Sequence, residues 1–223
     1  MYYDYQQIVS RIVRDDDAQI EPGDIDAALA FAATRYSQDR PRTAVEDVTA
    51  TDPHMLDLPA GWQTGFSELQ SIEYPVGHIP PTLIDGWRLY QAPAGQRIML
   101  VDGALSLGQL VRLSYSVPQV LDYGNDTIPA SHREPVASYA AAVLLDQLAA
   151  RWSGDTDSTI QADSVDHGGK ASNYASRARR LRQRYYDELG IDPKRNVAAG
   201  VVVDWDNPDS RGRDRLTHSG RYR

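Results

Sequence analysis

The sequence predicts an α+β protein: a bundle of about four helices, a small antiparallel β domain inserted into it, and an extended C-terminal tail. Three observations carry that expectation. Between Val136 and Ala150 only Ser138, Asp146 and Gln147 are polar, so apolar side chains cover almost the whole circumference of a helix, which then needs burial on several sides. From Arg42 to Pro118 the texture changes to short β-branched and aromatic runs separated by Pro, Gly and Asp. After Gly190 the chain becomes Gly, Pro, Asp and Arg with a single strand-like run, Val197 to Trp205. The implied boundaries are residues 1–41 for the N-terminal helices, 42–118 for the β insert, 119–190 for the C-terminal helices and 191–223 for the tail.

Residues 2–14 place Tyr5, Ile8, Val9 and Ile12 on one helical face, and the run Asp15-Asp16-Asp17 ends that helix. Pro22-Gly23-Asp24 predicts a turn and N-cap for a second helix, with Ile25, Ala28, Leu29, Ala32 and Tyr36 at helical spacing. In the insert, TAVEDVTA, MLDLP, SIEYP, LIDGWRLYQ, RIMLVDG and LVRLSYSV read as strands. Val111, Leu113, Tyr115 and Val117 alternate with Arg112, Ser114 and Ser116, the pattern of a strand with one wet face. Pro93-Ala94-Gly95 reads as a hairpin turn, and Trp62, Trp87 and Tyr90 as the bulk of a small β core.

Ile128-Pro129 is an extended lead-in to the apolar helix, and Ser131 with Glu134 fits a capping box. The alanines of that helix allow close approach by neighbours, while Val136, Leu144, Leu145 and Leu148 supply bulk. A last helix runs to Leu189, with Gly190 as its C′ residue and a stripe of Ala171, Tyr174, Ala175, Ala178, Leu181, Tyr185 and Leu189. Arg177, Arg179, Arg180, Arg182 and Arg184 lie off the stripe and invite an acidic surface or phosphates. Fixing a backbone costs about 1 kcal/mol per residue, and the tail beyond Gly190 has too little apolar surface to offset that alone. Strand addition by its GVVVDW segment to a partner's sheet edge is the natural remedy, and pairing onto the chain's own β region is the alternative.

A hydrophobic fraction of 41% supports a core and argues against wholesale disorder. The absence of cysteine excludes disulfides and thiolate metal sites. The N-terminus has no apolar signal region, and the central helix is too short and too interrupted by Asp146 and Arg151 for a membrane span. A soluble, cytoplasmically made protein is expected. The net charge of −8 is segregated: residues 1–169 hold 10 Lys/Arg against 24 Asp/Glu, and residues 170–223 hold 13 against 7. Such segregation implies two surfaces meeting different partners, and an acidic body is a poor binder of duplex DNA.

No catalytic signature emerges. The histidines at 54, 78, 132, 167 and 218 form no ligand pair. Gly168-Gly169-Lys170 lacks the glycine and hydroxyl residue of a phosphate loop, having Ser164 and Ala171 in their places. The aspartates at 15–17, 24 and 26 do not match a calcium loop, and Asp204, Asp206 and Asp209 read as a turn. The expectation is no enzyme, no cofactor and no metal.

Leu58-Pro59 with Trp62, Ile72-Glu73-Tyr74-Pro75, Trp87 with Leu89-Tyr90, Val111-Arg112-Leu113-Ser114-Tyr115, and Ile128-Pro129 leading into the alanine-rich helix follow one another in that order. Over residues 2–189 this layout resembles the head-to-tail connector (adaptor, or head-completion) proteins of tailed bacteriophages. The resemblance implies a structural virion protein of the neck, forming a ring of commonly twelve copies between the portal protein and the tail or a second neck protein. DNA would pass through the lumen without specific binding. It also implies a C-terminal segment that grips the portal, here with Arg195, Val201, Val202, Val203, Trp205, Arg211, Arg213, Arg215 and Tyr222. Arg177, Arg180, Arg184, Tyr185 and Tyr186 would lie at the subunit interface. Two rival readings remain: a β-sandwich carbohydrate-binding module displaying Trp62, Trp87 and Tyr90 on one face, and a metal-dependent hydrolase using clustered aspartates.

Overall fold

The computed structural model describes residues 2–14, 19–154 and 167–193. The apolar helix is α3, Arg133–Gly154, and it is the spine of the bundle. Helices α1 (Tyr2–Val13), α2 (Pro22–Asp39) and α4 (His167–Leu189) all pack on it. Residues 135–142 are buried without a break, which is what an all-round apolar surface demands. The alanines let backbones close in, while Leu144 and Leu145 fill the space between helices. From α1 the core takes Tyr2, Tyr5, Val9 and Val13, from α2 Ala28, Leu29, Ala32 and Tyr36, and from α4 Ala178, Tyr185 and Leu189.

The insert consists of β1 (Arg42–Thr49), β2 (Met55–Asp57), β3 (Leu69–Glu73), β4 (Trp87–Ala92), β5 (Gly95–Leu100) and β6 (Leu110–Val117). They form two three-stranded antiparallel sheets, ordered β1-β6-β3 and β2-β5-β4. The architecture is α+β. Inward residues of β6 (Val111, Leu113, Tyr115, Val117) join Leu56, Ile72, Ile98 and Leu100 in a second core, separate from that of the bundle. The β4–β5 hairpin closes at the Ala92–Gly95 pair around Pro93-Ala94, as the sequence predicts. Gly95 holds a φ of +134°, a conformation that side chains oppose.

Bundle and insert meet where α2 ends and β6 leaves its sheet. The Gln119 amide N–H donates to Ser37 Oγ at 3.0 Å, and Gln119 Nε2 donates to the Arg40 carbonyl at 2.9 Å. Arg40 in turn donates to the Leu189 carbonyl at 2.6 Å, so the end of α4 is tied to the root of β1. The segment entering α3 is anchored by Asp126, whose side chain is fully buried. Its carboxylate faces Arg133 at 3.2 Å and accepts from the Ile128 N–H at 3.0 Å and the Tyr5 hydroxyl at 3.4 Å.

Three local expectations are corrected. The cap of α2 is Glu21, one residue before the expected turn: Pro22 takes the first helical position, and Asp24 accepts from the Glu21 N–H at 3.0 Å. Ser131 does not cap α3, because Ala130–His132 form a single 3₁₀ turn running directly into Arg133. Tyr90 is not core; it is 42% exposed. Trp87 and Tyr90 are three residues apart on one strand, so they face opposite sides of the sheet. The acidic run at 15–17 and most of the polar loop at 153–167 lie outside the described residues, as does the tail from 194 onward.

Candidate functional site

With no catalytic motif in the sequence, the candidate sites are surfaces, and the first is the arginine face of α4. The helix ends in a Schellman motif: Ile191 N–H donates to the Tyr186 carbonyl at 2.9 Å and Gly190 N–H to the Asp187 carbonyl at 3.2 Å, with Gly190 at φ +64°. Its apolar stripe is consumed by α3, which leaves the arginines on the remaining arc. Arg177 reaches across to the carbonyls of Ile12 and Val13 (2.8 and 3.5 Å), capping the end of α1. Arg182 pairs with Asp146 of α3. Arg184 bridges Glu134 at 2.5 Å and Glu188 at 2.6 Å. Arg179 and Arg180 are exposed.

The five residues expected at a subunit interface therefore divide. Arg180 and Arg184 keep exposed surface, and Arg177 is engaged within its own chain. Tyr185 is completely buried, its hydroxyl donating to Asp39 at 2.8 Å, and burial raises its pKa well above the ordinary phenol range. It has no surface to offer a neighbour. Tyr186 is half-buried, edge-on to Tyr185 and beneath the Arg35 guanidinium at 5.7 Å. The sequence signal for this was present: Tyr185 belongs to the spacing-three-and-four stripe, and Tyr186 sits beside it. The expected portal-binding residues Arg195, Val201, Val202, Val203, Trp205, Arg211, Arg213, Arg215 and Tyr222 lie outside the described residues.

The second surface is the β insert. Trp62 tilts over Tyr115 with ring centroids 5.8 Å apart, and both Trp62 and Trp87 pack against the β core. Tyr90 faces the other way, beside the Arg97–Asp57 ion pair on the solvent side of its sheet. These three aromatics make no common stacking platform. Sequence reading missed Glu46, which points inward between Ala44 and Val48. Its carboxylate accepts from Ala60 N–H at 3.0 Å, Gly61 N–H at 3.4 Å and the Tyr115 hydroxyl at 3.0 Å. The Ala60 amide above all holds its pKa below the usual carboxylate range. Its parity with Ala44 and Val48 was the available signal.

Both sheets also have edges that no described strand pairs. Among the described residues, no backbone hydrogen bond joins β1 to anything but β6 and its flank, or β4 to anything but β5. Beside those edges Val45, Leu89 and Tyr90 are 59%, 38% and 42% exposed.

Among the described residues no three or more His, Asp or Glu side chains are grouped to hold a metal ion, and no helix is long and apolar enough to cross a membrane. No family model and no curated protein matches the chain. Among solved structures it is similar to a chain from the neck of an empty gene transfer agent (GTA) particle, computed with C6 symmetry. That pair has 17% identity, covers 76% of this chain and 87% of that one, and has a TM-score of 0.27. It is also similar to a chain of the virion of a native gene transfer agent particle, at 15% identity, 78% and 87% coverage and a TM-score of 0.24.

Proposed function

We propose that this chain is a structural head-to-tail adaptor of a tailed, phage-like particle. Copies form a ring, twelve on the connector pattern, seated between portal and tail, with DNA passing through an acidic lumen. The observation that carries this reading is the separation of charge and apolar content along the chain. The body has two cores of its own and uses three of the five α4 arginines in internal bonds. Residues 194–223 carry 7 Lys/Arg against 4 Asp/Glu and few apolar side chains, so they need a partner's surface rather than a core of their own. A closed ring supplies what such a chain lacks, since each copy presents two different complementary patches to its neighbours. An acidic wall repels the phosphate backbone and lets a duplex slide.

The portal-side contact falls to Arg195, the Val201–Trp205 run and the arginines at 211, 213 and 215. Arg180 serves the contact between copies, beside the part of Arg184 that its own ion pairs leave exposed. Deleting 194–223 tests the assignment: the truncated chain stays folded, with its melting temperature within a few degrees of the full chain, and no longer co-sediments with portal rings. Retained co-sedimentation refutes the role given to the tail. The carbohydrate-binding alternative loses its main support, because Trp87 and Tyr90 face opposite sides of their sheet.

A further inference from the structure

We infer that copies of this chain join by strand pairing, the free edge of β4 in one copy running antiparallel to the free edge of β1 in the next. The inference rests on the ring reading above and specifies its contact. An open edge displays unpaired N–H and C=O groups and is a template for another chain unless it is short, charged or covered. β2 is three residues long, and β3 is partly covered by its bridge to Leu83 and the hydrogen bonds of Thr82 and Ile84. β4 and β1, at six and eight residues, are the long edges that no described strand pairs.

A second copy is the occupant because the two edges fit each other in one register. Set antiparallel with Val45 opposite Tyr90, Asp47 falls opposite Arg88 and Val48 opposite Trp87. The first pair matches two exposed apolar side chains, and the second matches opposite charges. Arg88 is exposed and, among the described residues, its one polar contact is to Met99 Sδ at 4.0 Å. The Asp47 carboxylate, already gripped by Arg112 at 2.7 and 2.9 Å, has lone pairs left for a second guanidinium. Inward rows also continue: Ala44, Glu46 and Val48 of β1 extend Trp87 and Leu89 of β4, so the cores of adjacent copies abut. Run parallel with Val45 still beside Tyr90, the same strands would set Thr43 beside Arg88 and Asp47 beside Ala92, and the charge pair is lost. Six pairs span roughly 20 Å. Because the edges belong to different sheets the contact is head-to-tail, the kind that closes into rings.

The lack of native cysteine makes disulfide trapping clean. In the full-length chain, Val45→Cys with Tyr90→Cys under mild oxidation should give a ladder of covalent oligomers on a denaturing gel, while each single variant stays monomeric. Arg88→Glu should weaken self-association about tenfold, by setting two carboxylates face to face. Rings seen by mass measurement whose double-cysteine form gives no ladder, or only an internal bond, overturn the strand pairing and leave the ring reading standing. A ladder from protein that never engages portal rings supports the pairing and refutes the adaptor role. A chain that is monomeric at all concentrations, without a ladder, overturns the pairing.

Discussion

Glu46 shows how much one misplaced-looking side chain can organise. A carboxylate on the inward face of β1 is tolerated because two backbone amides and a phenol satisfy it, and in return it fixes the turn that carries Trp62 over Tyr115. Its pKa is lowered, so its contribution is present above the ordinary glutamate range and is lost as pH falls through the depressed value. Glu46→Gln should cost about 1 kcal/mol at neutral pH, and the gap from the parent should narrow as the pH falls below about 4. Urea melts at the two pH values check this; an unchanged gap in acid contradicts it. The same turn explains Gly61. A Cβ there would stand 2.5 Å from the Tyr115 hydroxyl oxygen, so Gly61→Ala should destabilise by roughly 1–3 kcal/mol. In the Tyr115→Phe background the same change should cost clearly less, which a double-mutant cycle of thermal melts measures.

Among the elements, α3 and α4 illustrate two sources of legibility. α3 was readable because burial on every side over 135–142 leaves its mark on each residue there, whatever the neighbours turn out to be. α4 was readable because its stripe has one period and its end has one glycine. Gly190 at φ +64° closes the Schellman motif, so Gly190→Ala should cost about 1–2 kcal/mol. A fall in melting temperature with the fold otherwise intact checks it, and no fall would mean the cap is dispensable. What α4 hid was the destination of its arginines. Arg177, Arg182 and Arg184 lie on its polar arc, yet each finds a partner on α1 or α3 that is 36 or more residues away in sequence. Strands were legible for a similar local reason, but their partners were not. Nothing in LVRLSYSV says that β1 and β3 flank it, or that the hairpin belongs to another sheet.

At the scale of the whole molecule, the body stands on two cores joined by a short hydrogen-bonded seam at Ser37, Arg40, Gln119 and Leu189. Among the described residues both cores are built from residues no later than Ile191, and truncation after 193 is expected to spare folding and remove only a partnership. That separation makes the deletion an informative experiment rather than a test of stability. The edges of β1 and β4 belong to this scale too: among the described residues no strand pairs with them, and the proposed contact between copies would satisfy them.

The order of the chain was decided locally: hydrophobic period, proline and glycine placement and charge segregation gave four helices, six strands, a hairpin and a chemically different tail, because each depends on neighbours within a few residues. Pairing was decided by tertiary structure alone. Which strand lies beside which, which arginine is already spent, why Tyr185 is sealed while Tyr90 is bare, and which edges stay open all depend on residues distant in sequence that chain packing brings together.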